Sequence, residues 1–229
     1  MKNTLTVGVR MIEPETAVAR QEPYGAGAVA KRTFDIVLAS VGLVTSAPLW
    51  AAFALAIRGE DGGPVFYAQE RVGLGGRRFR LWKFRSMVPE AEVGAGARQA
   101  VPDDPRVTRV GRWLRATALD ELPQLWNILK GDMSFVGPRA LRPGEIEVHG
   151  DDRLERLEDV PGFEARCRVR PGLTGVTQIY AARDIRRRHK FRYDRLYVRR
   201  QSFWMDLRLI AISFWITFRG AWEARGRKY

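Results

Sequence analysis

Residues 36–57 read IVLASVGLVTSAPLWAAFALAI, a run with no charged side chain. As one continuous helix it would be roughly 33 Å long, enough to cross the hydrocarbon core of a bilayer. Its distance from the N-terminus, its length and the basic sequence after it argue against a cleaved signal peptide. Two features separate it from an ordinary span. Pro48 sits in mid-run, where it removes a backbone donor and crowds the preceding turn, and Thr45 and Ser46 are placed to satisfy groups freed there. Both flanks are also basic: Lys31 and Arg32 before, then Arg58, Arg71, Arg77, Arg78 and Arg80 after. Cationic flanks belong on the cytoplasmic side, so a straight crossing would put one set on the wrong face. A helix that enters, bends at Pro48 and returns satisfies both flanks. On the residues alone, that re-entrant form and a kinked span both stand.

The composition around this segment narrows the partners. The 229 residues suffice for one packed domain with additional elements, and 45% hydrophobic residues exclude a disordered chain. Thirty-nine Lys and Arg against 26 Asp and Glu leave a net charge of +13. Such a surface attracts anions: nucleic acid, phosphorylated small molecules or an acidic membrane face. Seven tryptophans suit a membrane interface or a ligand platform. The single Cys167 excludes an internal disulfide and a thiolate metal cluster, and His149 and His189 are too far apart in the chain to suggest a histidine-based centre.

Downstream, VFYAQERV and RRFRLWKFRSM read as two strands of a hairpin turned by GLGG, all within Gly62–Met87. Alternation puts Phe79, Leu81, Lys83 and Arg85 on one face of the second strand. Residues 89–105 read as a flexible loop and candidate lid, and Arg109–Arg115 has helical spacing. The C-terminal stretch Ser202–Trp222 mixes apolar and aromatic residues with Asp206, Arg208 and Arg219. Its uncharged core is too short to span, so it is expected to lie in the membrane interface as an amphipathic helix; a core helix of the soluble part is the alternative.

The chemistry centres on ALDELPQLWNILKGDMSFVGPR, Ala118–Arg139, in which Asp120 and Glu121 stand side by side in a basic chain. Leu122, Leu125, Trp126 and Leu129 form a helical stripe ended by Lys130 and Gly131. Pro123 is tolerated only in the first turn, so the helix should start near Asp120. A capping role accounts for one acid in that position. It does not account for two, nor for Arg112, Arg115 and Arg139 around them, nor for the rigid Val136–Arg139 turn, whose arginine suits phosphate oxygens. A second loop, RPGLTGVTQIY from Arg170, carries Gly172 and Gly175, which permit close backbone approach.

In order along the chain, KRTFDIVLA, GPVFYAQERVG, WKFRSM, DDPRVTRVGRWLRATALDELPQLWNILKGDMSFVGPR and RPGLTGVTQI closely resemble the bacterial sugar transferases, the monotopic polyprenyl-phosphate phosphoglycosyl transferases. The resemblance covers nearly everything from Lys31 to the C-terminal helix, and the chain looks like the family's small members. It implies an α+β fold with a re-entrant N-terminal membrane helix, a small antiparallel hairpin or sheet, several short helices and a C-terminal interfacial helix. The expected divisions are a mobile lead-in over 1–30, a membrane helix over 31–58 broken at Ser46 and Pro48, and a cytoplasmic catalytic unit over 59–229. The family breaks that helix at a Ser-Pro pair. Here Ala47 precedes Pro48, leaving Ser46 as the hydroxyl nearest the break.

For the site, the resemblance implies that Asp120 attacks the sugar-bearing phosphate of a UDP-sugar. That step forms a covalent phosphosugar and releases UMP, and polyprenyl phosphate then collects the sugar phosphate. Mg²⁺ assists, with Asp120 and Glu121 as candidate ligands; Glu121 as metal ligand or as proton carrier both remain open. Lys83, Arg85, Arg115 and Arg139 are the expected phosphate contacts. Arg170, Gly172, Thr174 and Gly175 are weaker candidates for the nucleotide. The implied partners are the UDP-sugar, polyprenyl phosphate and anionic lipids at the bacterial inner membrane, without nucleic acid, and the exposed aromatic helices leave room for a homodimer. The sugar is not legible.

Two competing classes make different predictions. A glycosyltransferase attacking the sugar carbon would release UDP, and no DxD-type metal motif supports one. A nucleic-acid module could use ARDIRRRHKFRYDRLYVRR, Ala181–Arg200; its affinity would be salt-dependent and indifferent to Asp120→Asn.

Overall fold

The computed structural model describes residues 26–89, 91, 104–148, 154–182 and 185–219. Helix α1, Ala26–Asp61, begins five residues before the expected boundary and runs through Pro48 without losing helical form. Thr45 donates from its hydroxyl to the Val41 carbonyl at 2.8 Å, and Ser46 to the Leu43 carbonyl at 3.5 Å. These contacts lie three residues and one residue before the Val44 carbonyl, the group that Pro48 deprives of its donor. Ser46 Oγ in turn accepts the Trp50 indole N–H at 3.0 Å. The helix is long and apolar enough to cross a membrane, yet Val37, Val41, Val44, Leu49 and Leu55 on one side of it are exposed.

Its other side is bound to the protein over its whole length. Asp35 is buried and accepts from the Ser134 hydroxyl at 3.2 Å and the Phe135 amide at 3.1 Å. Lys31 donates to Asp206 at 2.5 Å and to the Val136 carbonyl at 3.3 Å. At the far end Phe53 and Ile57 pack with Phe84 and Leu114, and Asp61 forms an ion pair with Arg85. Both ends of α1 therefore rest on the same body.

The expected hairpin is present. β1, Phe66–Val72, pairs antiparallel with β2, Arg78–Phe84, and the turn uses Gly75 and Gly76 in the left-handed region. Helix α2, Arg109–Ala116, is capped by Thr108, whose hydroxyl accepts the Gly111 amide. A single 3₁₀ turn, Leu119–Glu121, leads to α3, Gln124–Lys130, which ends on Gly131 at φ 93°. Beyond it come β3 Ser134–Val136, β4 Ile146–Val148, β5 Leu154–Arg156, α4 Phe163–Arg166, β6 Gly172–Thr174, α5 Val176–Tyr180, α6 Arg187–Arg200 and α7 Phe203–Phe218.

The fold mixes helix and sheet, but the sheet differs from the expected single antiparallel unit. Among the described residues it is three two-stranded pieces, and β3 pairs with β6 in parallel. Such a pairing joins distant segments through a crossover, so no local turn signal announces it. Its closeness depends on glycine. A Cβ on Gly172 would meet Gly137 N at 2.0 Å, and one on Gly175 would meet Gly137 O at 2.2 Å.

The main core joins Leu125, Ile128, Met133, Phe135 and Val136 to Tyr197 and to Leu209, Ile210 and Ile216 of α7. So α7 has a core face. Its other face exposes Trp204, Phe214, Trp215 and Phe218, the last at 87%. His149, Trp222 and most of the expected lid loop lie outside the described residues.

Candidate active site

Three elements bring the charged residues together, and each is held for a local reason. β2 supplies Lys83. α3 is locked against β2 by Asn127, whose buried side chain accepts the Trp82 amide at 3.0 Å and donates to the Arg80 carbonyl at 2.7 Å. That amide fixes the turn preceding α3 relative to the strand. The turn itself is tight: Ala118 is held at φ 56°, and Leu119 and Leu122 pack against the cluster of Phe53, Ile57, Phe84 and Leu114. A non-glycine residue in that region carries backbone strain, which persists only where the surroundings enforce it.

Asp120 and Glu121 sit in this turn, whereas α3 itself starts only at Gln124, with Pro123 directly before it, and not near Asp120 as expected. Lys83 Nζ donates to Glu121 at 2.6 Å and reaches Asp120 at 3.5 Å. The two acids are driven apart electrostatically. Burial raises the Asp120 pKa above its ordinary value, with Glu121 adding repulsion against the pull of Lys83 and Arg115. Burial acts on Glu121 in the same direction, but Lys83, Arg139 and Arg71 outweigh it and leave its pKa lowered. Adjacent carboxylates with opposed shifts can take different tasks.

The cations divide similarly. Arg115, in the last turn of α2, acts on Asp120, and Arg139, exposed on the Gly137–Arg139 turn, acts on Glu121. Arg71 joins them, although its sequence position suggested only a membrane flank. Tyr67, Gln69 and Arg71 share one face of β1, and Tyr67 lies directly across from Lys83. The Tyr67 hydroxyl accepts from Gln69 at 3.1 Å, Gln69 accepts from Arg71, and Arg71 donates to the Ala140 carbonyl at 3.1 Å. Burial and the nearby Arg139 and Arg142 lower the Arg71 pKa to about 10. Three guanidiniums crowded beside an acid pair favour an anion between them. Alternation along FYAQERV was the available signal for Arg71; nothing local marked Arg142.

Other expected residues have different tasks. Arg85 was expected to touch phosphate. It is buried instead, with Nη1 on Asp61 at 2.6 Å, Nη2 also on Asp61, and Nε on the Pro64 carbonyl at 2.6 Å. Arg170 donates to the Gly131 carbonyl at 2.9 Å, at the end of α3 away from the acid pair. The Cβ positions of Gly172 and Gly175 are filled by the Gly137 backbone, and Thr174 lends its carbonyl to the Gly137 amide at 2.9 Å. The close approach expected at these glycines is made here by the β3–β6 crossing. Ser46 and Pro48 lie within α1.

The arrangement is a buried carboxylate beside a paired one, bridged by a lysine and faced by arginines. It is suited to attack on, or exchange of, a phosphate. Comparison with known proteins agrees. The family model described as Bacterial sugar transferase matches residues 26–220. The chain belongs to the bacterial sugar transferase family.

Relatives within and around this family differ in length. The chain is 41% identical over 190 residues to an undecaprenyl-phosphate glucose phosphotransferase of Komagataeibacter xylinus, covering 80% of this chain and 35% of that protein. It is 40% identical over 183 residues to a UDP-N-acetylgalactosamine-undecaprenyl-phosphate N-acetylgalactosaminephosphotransferase of Aeromonas hydrophila, covering 79% of this chain and 41% of that protein. The exopolysaccharide production protein ExoY of Rhizobium meliloti is 37% identical over 198 residues, with 80% of this chain and 83% of that protein covered. The chain therefore spans less than half the length of the first two. This sugar transferase also resembles relatives named for two different sugars at nearly equal identity.

Proposed function

We propose that this sugar transferase moves a sugar 1-phosphate from a UDP-sugar to polyprenyl phosphate and releases UMP, opening the assembly of a surface glycan. The observation that carries the reading is the buried Asp120 beside Glu121, held by Lys83 and surrounded by Arg71, Arg115 and Arg139. An Asp120 carboxylate oxygen attacks the sugar-bearing phosphorus. The P–O bond to UMP breaks, and the leaving phosphate takes the electron pair. An oxygen of the polyprenyl phosphate then attacks the same phosphorus, the acyl phosphate bond breaks, and the Asp120 carboxylate is restored. Splitting the transfer means that only one bulky substrate is engaged at a time. Lys83 lowers the cost of ionising Asp120, and Arg71, Arg139 and Arg142 orient and neutralise the diphosphate.

Among the described residues no group of three or more His, Cys, Asp or Glu side chains is placed to form a metal cage. Two adjacent carboxylates nevertheless fit Mg²⁺, which commonly takes one or two carboxylates and completes its shell with substrate phosphates and water. Asp120 and Glu121 would hold the ion, which supplies charge neutralisation to the diphosphate.

The membrane placement belongs to the same reading. α1 enters the cytoplasmic leaflet and returns, leaving the site in the cytoplasm. This is supported by Lys31 and Arg32 at one end and Glu60 and Asp61 at the other, all bound to one globular body. A straight crossing would pull those ends to opposite sides of the bilayer. The exposed aromatics of α7 lie in the interface, and Arg188, Arg192, Arg199 and Arg200 on the outer face of α6 meet anionic headgroups.

The test uses purified protein in nanodiscs with Mg²⁺, undecaprenyl phosphate and a panel of UDP-sugars, with UMP and UDP quantified separately. UMP release that requires the lipid phosphate for turnover and disappears in Asp120→Asn is expected. UDP release, or an undiminished Asp120→Asn, would refute the mechanism.

A further inference from the structure

The acid pair lies between two short helices, and both are tied to α1. Glu60, in the last turn of α1, accepts the first two amides of α2: Arg109 N at 2.7 Å and Val110 N at 3.1 Å. Near the other end, Arg32 donates to the last carbonyls of α3, Ile128 O at 2.6 Å and Leu129 O at 2.8 Å. Each contact satisfies groups that a helix end leaves unpaired, with a charge of the sign that the helix dipole favours.

Contacts between these points run antiparallel. Phe53 meets Trp113 with ring centres 5.6 Å apart, and Gly42 lies under Leu125, where an added Cβ would come within 3.0 Å of its side chain. In the interval between those two contacts α1 carries Ser46 and Pro48. The facing segment there carries Ala118, Asp120 and Glu121. The irregular turn in one element is thus level with the proline in the other. The turn has little bracing of its own: its backbone bonds from Glu121 N to Ala118 O and from Leu122 N to Leu119 O are both 3.2 Å, and Ala118 is strained.

We propose that α1 is a two-point clamp for the acid pair, and that Glu60 and Arg32 are positioning residues for Asp120. Pinning α2 at its start and α3 at its end sets the separation of the two helices. That separation holds Ala118 in its left-handed conformation and Asp120 at its distance from Lys83. The consequence for turnover rests on the proposed transferase reading; the clamp itself does not.

Two variants test it in the full chain in nanodiscs. Glu60→Gln keeps the shape but loses the charge and one acceptor oxygen; Arg32→Lys keeps the cationic flank but replaces the two-nitrogen fork that holds both carbonyls with a single shorter ammonium. Hydrogen–deuterium exchange of the peptide covering residues 112–125 is the first readout. Either variant should speed exchange at residues 117–122 by about 10-fold, as expected for a locally destabilised unit, and leave β4 and β5 unchanged. Unchanged exchange at 117–122 in both variants overturns the clamp, whatever the protein catalyses. The second readout is UMP release. kcat should fall about 10-fold with KM for the UDP-sugar within about two-fold, the pattern of a misplaced nucleophile with intact phosphate contacts. The double variant should be no slower than the slower single, since freeing one end already releases the turn. Additive losses would mean that each residue acts only locally, and a raised KM at constant kcat would place the effect on binding; either overturns the proposal. A wild-type protein without UMP release refutes the transferase reading and leaves the exchange result to decide the clamp.

Discussion

Arg166→Met should be among the most destabilising single changes in the described part of the protein, and its cost can be worked from the contacts. Arg166 is 4% exposed and its partner Asp194 2%. Arg166 Nε donates to Asp194 at 2.8 Å, its Nη2 donates to the Arg139 carbonyl at 2.5 Å, and the guanidinium lies 4.8 Å from the Phe191 ring centre. The second Asp194 oxygen accepts from the Thr177 hydroxyl at 2.5 Å. Methionine retains much of the packing but leaves Asp194 as a buried charge with one neutral donor. Breaking such a pair from one side costs about 3–5 kcal/mol. At about 2–4 °C per kcal/mol for a chain of this size, the melting temperature should fall by about 6–20 °C. Adding Asp194→Leu removes the stranded charge, so the double variant should recover at least about 1 kcal/mol relative to Arg166→Met. Thermal unfolding followed by circular dichroism in a single detergent would measure both. An Arg166→Met protein melting within about 2 °C of wild type, or a double variant melting below both singles, would refute the account.

Other expectations follow from particular contacts. Lys83→Met removes the cation that favours ionised Asp120, so the Asp120 pKa, already raised by burial, should rise further; the acid limb of the kcat/KM profile should move to higher pH, and a static limb would separate Lys83 from the nucleophile. Ala118→Gly relieves the positive φ and should stabilise the fold by about 0.5–1 kcal/mol in thermal or urea unfolding; destabilisation would mean that the turn is not strained. Gly172→Ala places a methyl 2.0 Å from Gly137 N and 2.4 Å from Thr174 O, backbone atoms that cannot swing away, and should cost about 3 kcal/mol or more; near-neutral unfolding would contradict the β3–β6 register.

Local signals made part of this architecture legible in the sequence. Alternation and GLGG marked the hairpin, and Pro123 with Gly131 bracketed the helix after the acid pair, because strand period, proline and a left-handed stop act within a few residues. Lys83, Arg115 and Arg139 acquired candidate roles from charge and position. For Arg85 the structure shows a structural partner instead, and no local pattern reveals that this is Asp61 across the start of the hairpin. Gly172 and Gly175 suggested room for a ligand, but an equally close approach by Gly137 leaves the same mark in a sequence. Arg71 could have been found by following alternation one strand earlier. The crowding of Arg71 with Arg139 and Arg142 could not, because it depends on how separate segments meet. The two ends of α1 were legible as basic flanks, while their grip on α2 and α3 was not.

The Lys31–Asp206 ion pair also bears on the order in which the molecule is built. Its partners are 175 positions apart, and the Tyr197 hydroxyl bonded to Asp206 belongs to the same late segment. During synthesis α1 emerges before β3 and α7, which carry the partners of its Lys31 and Asp35. At ribosomal speeds of about 5–20 residues per second, the interval before Asp206 appears is roughly 9–35 seconds. Until β3 and then α7 follow, the polar side of α1 lacks these partners. Under the proposed membrane placement, insertion of α1 is then the earlier event, and the globular part is assembled against a helix already in place. A nascent chain halted before α7 would leave Lys31 without its counter-ion, so the last helix to be made is the one that completes the seat of the first.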